Sequence, residues 1–362
     1  MTVVNSEIPV TMRAGVYRGN GEVRVESVPT PSIGAGEILV RVESCGVCHT
    51  DLKKVEYDLL PAPRIFGHET AGTVASVGAG VTKFALGDRV AAFHHIPCGD
   101  CFYCARKLYA QCPVYKKVGI TAGFEPAGGG FAQYVRVMDW IVDRGVEKIP
   151  DNVSFDEASF MEPLNTCLKA VKQCAPGAGD TVLVMGQGPI GLLFTMILAE
   201  RGCKVAVTDT IARRLALATD CGAHYAWNAR ELDAGKELRK LTDGRGADIV
   251  IVATAATGLV EEAVRCSRPG ARIVLFAQTS DKERIELSGA SICVGERMLM
   301  GSYSASVDVQ RASADLVFSK KLPVGRLVSH ALPLDKIEAA FTLARRPTES
   351  SLKIVVHPQE IC

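Results

Sequence analysis

The 362-residue chain lacks a surplus of either charge, with 41 Lys and Arg against 40 Asp and Glu. Without an excess positive field nothing is there to hold a polyphosphate backbone or an anionic bilayer, so neither nucleic acid nor membrane is an expected partner. Long apolar runs are missing too. The longest, Pro189 to Ala199, has 11 residues broken by Gly191 and Thr195, against the ~20 needed to cross a bilayer. Met1 to Val10 has no basic stretch followed by an apolar core, so no secretory leader is expected and the expected location is the cytoplasm. Cysteine, by contrast, is plentiful: there are thirteen, an odd number, and four crowd between Cys98 and Cys112. That suits metal-binding thiolates in a reducing compartment better than a disulfide framework.

The length suggests two domains. From about Ala14 to Val137, short alternating runs are broken by glycine, as in Glu37 to Glu43, where Ile38, Val40 and Val42 share a face; Thr73 to Val77 and Asp88 to Ala92 are similar. They predict a compact barrel-like β domain with few helices. From Thr181 the texture changes. Continuous apolar strands (Val182 to Met185, Val205 to Val207, Ile249 to Val252, Ile273 to Phe276) alternate with helix-length segments, which predicts a doubly wound parallel sheet covered on both faces. After about Gly295 one amphipathic helix, with Leu334, Ile337, Phe341 and Ala344 on one face, and a terminal strand, Lys353 to Val356, are expected. Periodicity does not assign that tail to either domain.

The strand Thr181 to Met185 runs into Gly186-Gln187-Gly188-Pro189-Ile190-Gly191 and then an apolar helical stretch. Strand before and helix after turn a weak GxGxxG pattern into a strong one. Gly186 permits the tight turn, Gly188 lets backbone approach a pyrophosphate, and Gly191 lets helix pack on strand. Free N–H groups of the helix then face the phosphates. The next strand ends at Asp209, 18 residues past Gly191, where a carboxylate accepts from a ribose and repels a 2′-phosphate, so NAD is favoured over NADP. Arg213 and Arg214 follow; they offset that repulsion, lie against adenine, or form a solvated helix face.

Cys98-x2-Cys101-x2-Cys104-x7-Cys112 places four thiols within 15 residues. Four thiolates fill the tetrahedral shell of zinc and leave no open position, so this site is expected to pin a lobe and do no chemistry. A second, dispersed set comprises Cys45-Gly-Val-Cys48-His49-Thr50-Asp51, Gly67-His68-Glu69 and Met161-Glu162-Pro163. One thiolate, one imidazole and a carboxylate would leave zinc open to substrate, although spacing alone does not join them.

At these residues the chain resembles the zinc-containing medium-chain dehydrogenase/reductase superfamily along nearly its whole length. Gly67-His68-Glu69-x2-Gly72-x5-Gly78-x2-Val81 is similar to its zinc-site pattern, Cys98 to Cys112 to its structural-zinc lobe, and Gly186 to Gly191 to its cofactor turn. The resemblance implies a GroES-like β-barrel catalytic domain with the structural-zinc lobe (1–157), a Rossmann NAD-binding domain (158–294) and a C-terminal segment (295–362) completing both, with the active site in the cleft between the domains. It also implies an NAD-linked oxidoreductase with two zinc ions per chain. The catalytic ion falls to Cys48, His68 and Glu162, with Glu69 able to exchange onto the metal; the structural ion falls to Cys98, Cys101, Cys104 and Cys112; Cys45 is accessory. Thr50 resembles the hydroxyl that relays the alcohol proton. Thr166 and the segment Phe276, Ala277 and Gln278 match positions lining the nicotinamide pocket.

Glu162 in Glu-Pro-Leu is similar to the motif of sorbitol and threonine dehydrogenases, where other alcohol dehydrogenases carry cysteine, which implies a secondary alcohol (polyol, sugar alcohol or amino alcohol) or its ketone as substrate. Two departures stand out: Lys53 where many relatives carry a relay histidine, and Gly301-Ser302-Tyr303-Ser304-Ala305 where sorbitol dehydrogenases carry a polyol-holding arginine. A homodimer or homotetramer is implied. The alternatives are a non-catalytic NAD- and zinc-binding scaffold and a zinc-free quinone or enone reductase on the same fold, which would lack Cys48, His68 and Glu162.

Overall fold

The structure is a computed structural model that describes residues 3–4, 8–115, 128–277 and 284–360. By its internal contacts the chain divides into two compact units, Met1–Asn165 with Ala305–Cys362, and Thr166–Ser304.

The first unit contains β1 (Val3–Val4), β2 (Thr11–Gly19), β3 (Glu22–Pro29), β4 (Ile38–Gly46), β5 (Arg64–Ile65), β6 (Glu69–Val77), β7 (Arg89–Ala92), β8 (Tyr134–Val137) and β9 (Val146–Lys148). The second contributes β10 (Thr181–Met185), β11 (Lys204–Asp209), β12 (Tyr225–Asn228), β13 (Ala247–Val252), β14 (Ser267–Leu275) and β15 (Met298–Gly301), and the chain returns to the first for β16 (Val328–Pro333) and β17 (Lys353–His357). One sheet of the first unit runs β16-β17-β4-β6-β7-β9, with β1 on β6 and β8 on β4, and a three-stranded sheet runs β3-β2-β5. The strand β4 is buried on both sides. Ile38, Val40 and Val42 enter the barrel core with Val74, Phe93, Phe131 and Val135, while Leu39 packs with Met12, Ala14 and Ala132. Each such aliphatic side chain stabilises the fold by roughly 1.5–3 kcal/mol.

In the second unit the order β12-β11-β10-β13-β14-β15, parallel throughout, is the 3-2-1-4-5-6 order of a dinucleotide-binding sheet. Its core comes from the apolar runs read in the sequence, among them Leu183, Met185, Val250, Val252 and Ile273.

Several expectations need correction. The helix of the barrel region, His49–Glu56, is not located by the sequence pattern: Cys48 caps it and Asp51 completes the capping box, with cysteine standing where serine or threonine makes that signal recognisable. The tail has two helices, Gln310–Phe318 besides Ile337–Arg345. From Ala305 on it belongs to the first unit, where Leu334, Ile337, Phe341, Ile354 and Val356 join the barrel core, while β15 lies in the second. The unit boundaries fall later than 157 and 294. The first turns of the helix Met161–Cys174 remain with the barrel, where Asn165 donates to Ser306 O (3.0 Å), and β15 pairs with β14 as the last strand of the parallel sheet.

Candidate functional site

The four lobe cysteines converge. Cys98 Sγ lies 3.8 Å from Cys104 and 3.6 Å from Cys112, and Cys101 lies 3.5 Å from Cys104. Zinc–sulfur bonds of ~2.3 Å arranged as a tetrahedron separate the sulfurs by about 3.8 Å, whereas a disulfide would need ~2.05 Å. All four are free thiols, so the spacing fits a metal and not a bridge. Burial works to raise the Cys112 thiol, but backbone N–H groups of Cys98, Tyr115 and Val114 hold it below the ordinary range, as suits a thiolate ligand.

The second cluster is built around the helix His49–Glu56. Cys48, at its N-cap, accepts from the Thr50 N–H (3.5 Å), and the Cys48 N–H donates to Asp51 Oδ2 (3.2 Å). The other Asp51 oxygen meets His68 Nδ1 at 3.1 Å and accepts from the Gly67 N–H (3.4 Å). One carboxylate thus closes the cap and fixes the imidazole, leaving His68 Nε2 as its ligand nitrogen, the usual way a metal-binding histidine is oriented. The donor atoms of Cys48, His68 and Glu69 lie within 4.8 Å of one another. Cys45 is fully buried against Thr70, and burial, then Asp51 and Glu69, push its thiol well above the ordinary range, in keeping with an accessory role.

Glu162, in the first turn of Met161–Cys174, accepts from or shares a proton with His95 Nε2 at 2.8 Å. It groups with His94 and His95, their donor atoms again within 4.8 Å. The two groups are neighbours, for the rings of His68 and His94 are 5.5 Å apart, edge on. Lys353, reaching in from β17, pairs with Glu69 and donates to Val47 O (3.1 Å). That pair lies over Gly46, where a Cβ would sit 1.9 Å from Glu69 Oε2. His94, His95, Lys54 and Lys353 were not singled out in the sequence, although the adjacent pair His94-His95 just before Cys98 was a visible signal.

Charge shows what this pocket is built for. Three buried carboxyl side chains, Asp51, Glu69 and Glu162, gather beside Cys48, and two lysines, Lys54 and Lys353, face them. Burial works to lower His68, but Asp51 and Cys48 raise it well above its ordinary range; burial, with Glu69 and Asp51, raises Glu162. One sulfur, one imidazole nitrogen and one carboxylate oxygen, from Cys48, His68 and Glu69 within 4.8 Å of one another, form a donor set that fits zinc.

In the second unit, Gly186 has φ of +91°, and a Cβ on Gly191 would sit 1.8 Å from Gly186 O; both must be glycine. A Cβ on Gly188 would meet nothing within 4 Å, so its backbone faces open space at the N-terminus of the helix Pro189–Glu200, where Pro189 and Ile190 form the first turn. Asp209 ends β11 and accepts from the N–H groups of Gln187 (2.6 Å), Thr210 (2.7 Å) and Ile211 (2.9 Å). Arg214 is half-buried on the helix Ala212–Asp220. Phe276 lies edge on to Phe194, with ring centroids 4.9 Å apart, and both Phe276 and Ala277 donate to Val252 O. Thr166 is half-buried. Gln278 lies outside the described residues.

Comparisons with known proteins agree with this geometry. Residues 34–151 match the alcohol dehydrogenase GroES-like domain, and residues 189–319 match the zinc-binding dehydrogenase family. A sorbitol dehydrogenase of Bombyx mori is 30% identical over 96% of this chain and 98% of its own. An L-threonine 3-dehydrogenase of Pyrococcus furiosus is 31% identical over 88% and 90%. Among solved structures, a putative zinc-binding dehydrogenase from Sinorhizobium meliloti bound to NADP superposes with a TM-score of 0.88 at 27% identity, covering 97% of this chain and 100% of its own. A short chain alcohol dehydrogenase from E. coli CFT073 complexed with NADH gives 0.85 at 26%, covering 96% and 100%. The chain therefore belongs to the zinc-binding alcohol dehydrogenases of the medium-chain dehydrogenase/reductase superfamily, in the branch of the sorbitol and threonine dehydrogenases. It is an alcohol oxidoreductase, which sets the scaffold alternative aside.

Proposed function

We propose that the chain oxidises a secondary hydroxyl of a polyol, sugar alcohol or amino alcohol, or reduces the matching ketone, with NAD as partner and two zinc ions per chain. The observation that carries this is the convergence of the donor atoms of Cys48, His68 and Glu69 within 4.8 Å of one another, with Glu162 in the neighbouring group of His94 and His95. Zinc held there supplies Lewis acidity to the oxygen of the reacting carbon. NAD supplies the hydride acceptor.

The protein's own groups do the rest. Asp51 holds His68 in one orientation, and Lys353 holds Glu69. Thr50 Oγ1, in the turn directly after Cys48, takes the alcohol proton and passes it toward solvent; Lys53, where relatives carry histidine, follows on the same helix. On the second unit, the Gly188 backbone and the helix N-terminus cradle the pyrophosphate. Asp209 receives the adenosine ribose, Arg214 lies beside it, and Thr166, Phe276, Ala277 and Gln278 line the nicotinamide. The carboxylate at Asp209 supports NAD over NADP, although one similar structure holds NADP.

No helix among the described residues is long and apolar enough to cross a membrane. The twelve described cysteines are free, which supports the cytoplasm. Exposed Met298 (51%) on β15, the last strand of the parallel sheet among the described residues, supports a homodimer or homotetramer. The test is NADH absorbance on mixing the zinc-loaded protein with NAD or NADP and a panel of polyols, amino alcohols and simple secondary alcohols. Turnover with NAD, chelator-sensitive and biased toward NADP in Asp209→Ala, is expected; absence of turnover across the panel would remove the reading.

A further inference from the structure

His94 is a buried polar side chain that none of the roles above uses. It is 2% exposed, and neither ring nitrogen has a partner in hydrogen-bond geometry among the described residues. Such a group is uncommon, because burial strips away its water, and the His68 backbone comes near enough to act on the ring. Its surroundings are the metal pocket: the ring stands 3.9 Å from that of His95 and 5.5 Å from that of His68. Its donor atom lies within 4.8 Å of those of His95 and Glu162. Two hydrogen bonds of ~2.8 Å meeting at one oxygen span about 4.5 Å, which lies inside that limit. His95 is already committed to Glu162; His94 is the open member.

We infer that His94 is a specificity-determining residue that receives a second hydroxyl of the substrate, beside the one being oxidised, and so selects polyols over monohydric alcohols. This rests on the dehydrogenase reading above. Imidazole donates from one nitrogen and accepts at the other, as a hydroxyl does. A site that pairs its buried polar atom with a substrate hydroxyl discriminates against the analogue lacking it, because the atom is then left unpaired. The rival occupant is a second cation on His94, His95 and Glu162.

Both are tested with the zinc-loaded full chain and NAD, using butane-2,3-diol and 2-butanol as probes. The ratio of kcat/KM for the diol to that for 2-butanol is expected to fall at least tenfold in His94→Phe and to recover in His94→Gln, with equal zinc content in all three. His94→Leu takes the place of the phenylalanine variant if that one does not fold. An unchanged ratio overturns the inference, and so does loss of one zinc per chain in the variants, which would make His94 a metal ligand. If the wild type oxidises neither probe, the dehydrogenase reading is judged on the full alcohol panel and not on this pair. Calorimetry of diol binding to the zinc-loaded protein then decides the role of His94: binding to the wild type but not to His94→Phe upholds it, and equal binding, or none to either, overturns it.

Discussion

Asp51 shows how much a single side chain can set. It is fully buried, and although burial works to raise its carboxyl, His68 and then Lys54 and the Cys48 N–H hold it below the ordinary range. One oxygen caps the helix that presents Cys48 and the other fixes His68, so two ligands from separate segments are aligned by one group. Asp51→Asn keeps a capping side chain but loses the charge behind His68. We expect zinc affinity in that pocket to fall about 10–100-fold, measured by competition with a chelator, with little change in the melting temperature of the metal-free protein; unchanged affinity would mean that Asp51 is only a cap. Little of this was legible beforehand. The lobe cysteines and the glycine turn are local patterns, readable because spacing alone carries their chemistry. Cys48, His68, Glu69 and Glu162 needed a family resemblance to be joined, and Lys353 comes from a strand at the other end of the chain.

Among the elements, β17 carries Lys353 into the pocket and is pinned at its far end. His357 Nε2 meets Asp156 Oδ1 at 2.8 Å on the helix Phe155–Ser159, and Nδ1 meets Glu360 at 2.9 Å. The Asp156 hydrogen bond, against burial and with help from Glu360, raises His357 from 6.5 to about 9. Because the folded value lies above the unfolded one, the stabilisation is present in full below pH 6.5 and is lost as pH rises through about 9. His357→Gln should therefore melt a few degrees below the wild type at pH 6, the effect of roughly 1 kcal/mol for a partly screened pair, and the gap should close by about pH 10. A gap that stayed constant across that range would point to packing alone. The parallel strands β10, β11, β13 and β14 were readable because their apolar runs follow burial directly. The helix His49–Glu56 was not, since its cap is a cysteine, and β16 was not, since its residues are only half-buried.

Across the whole molecule, two units divide the labour. A barrel completed by the C-terminal strands holds both thiolate-bearing clusters, and a parallel sheet in 3-2-1-4-5-6 order holds the glycine turn and Asp209. That division predicts separable losses, because the proposed ligands of the catalytic ion and the proposed dinucleotide cradle belong to different units. Metal content per chain, counted alongside turnover and NADH affinity in wild type and Cys48→Ala, puts this most directly at risk. Two zinc ions in the wild type and one in the variant, with turnover abolished and NADH affinity retained, are the predicted outcome. Sustained turnover in a Cys48→Ala protein that had lost its zinc would contradict the account.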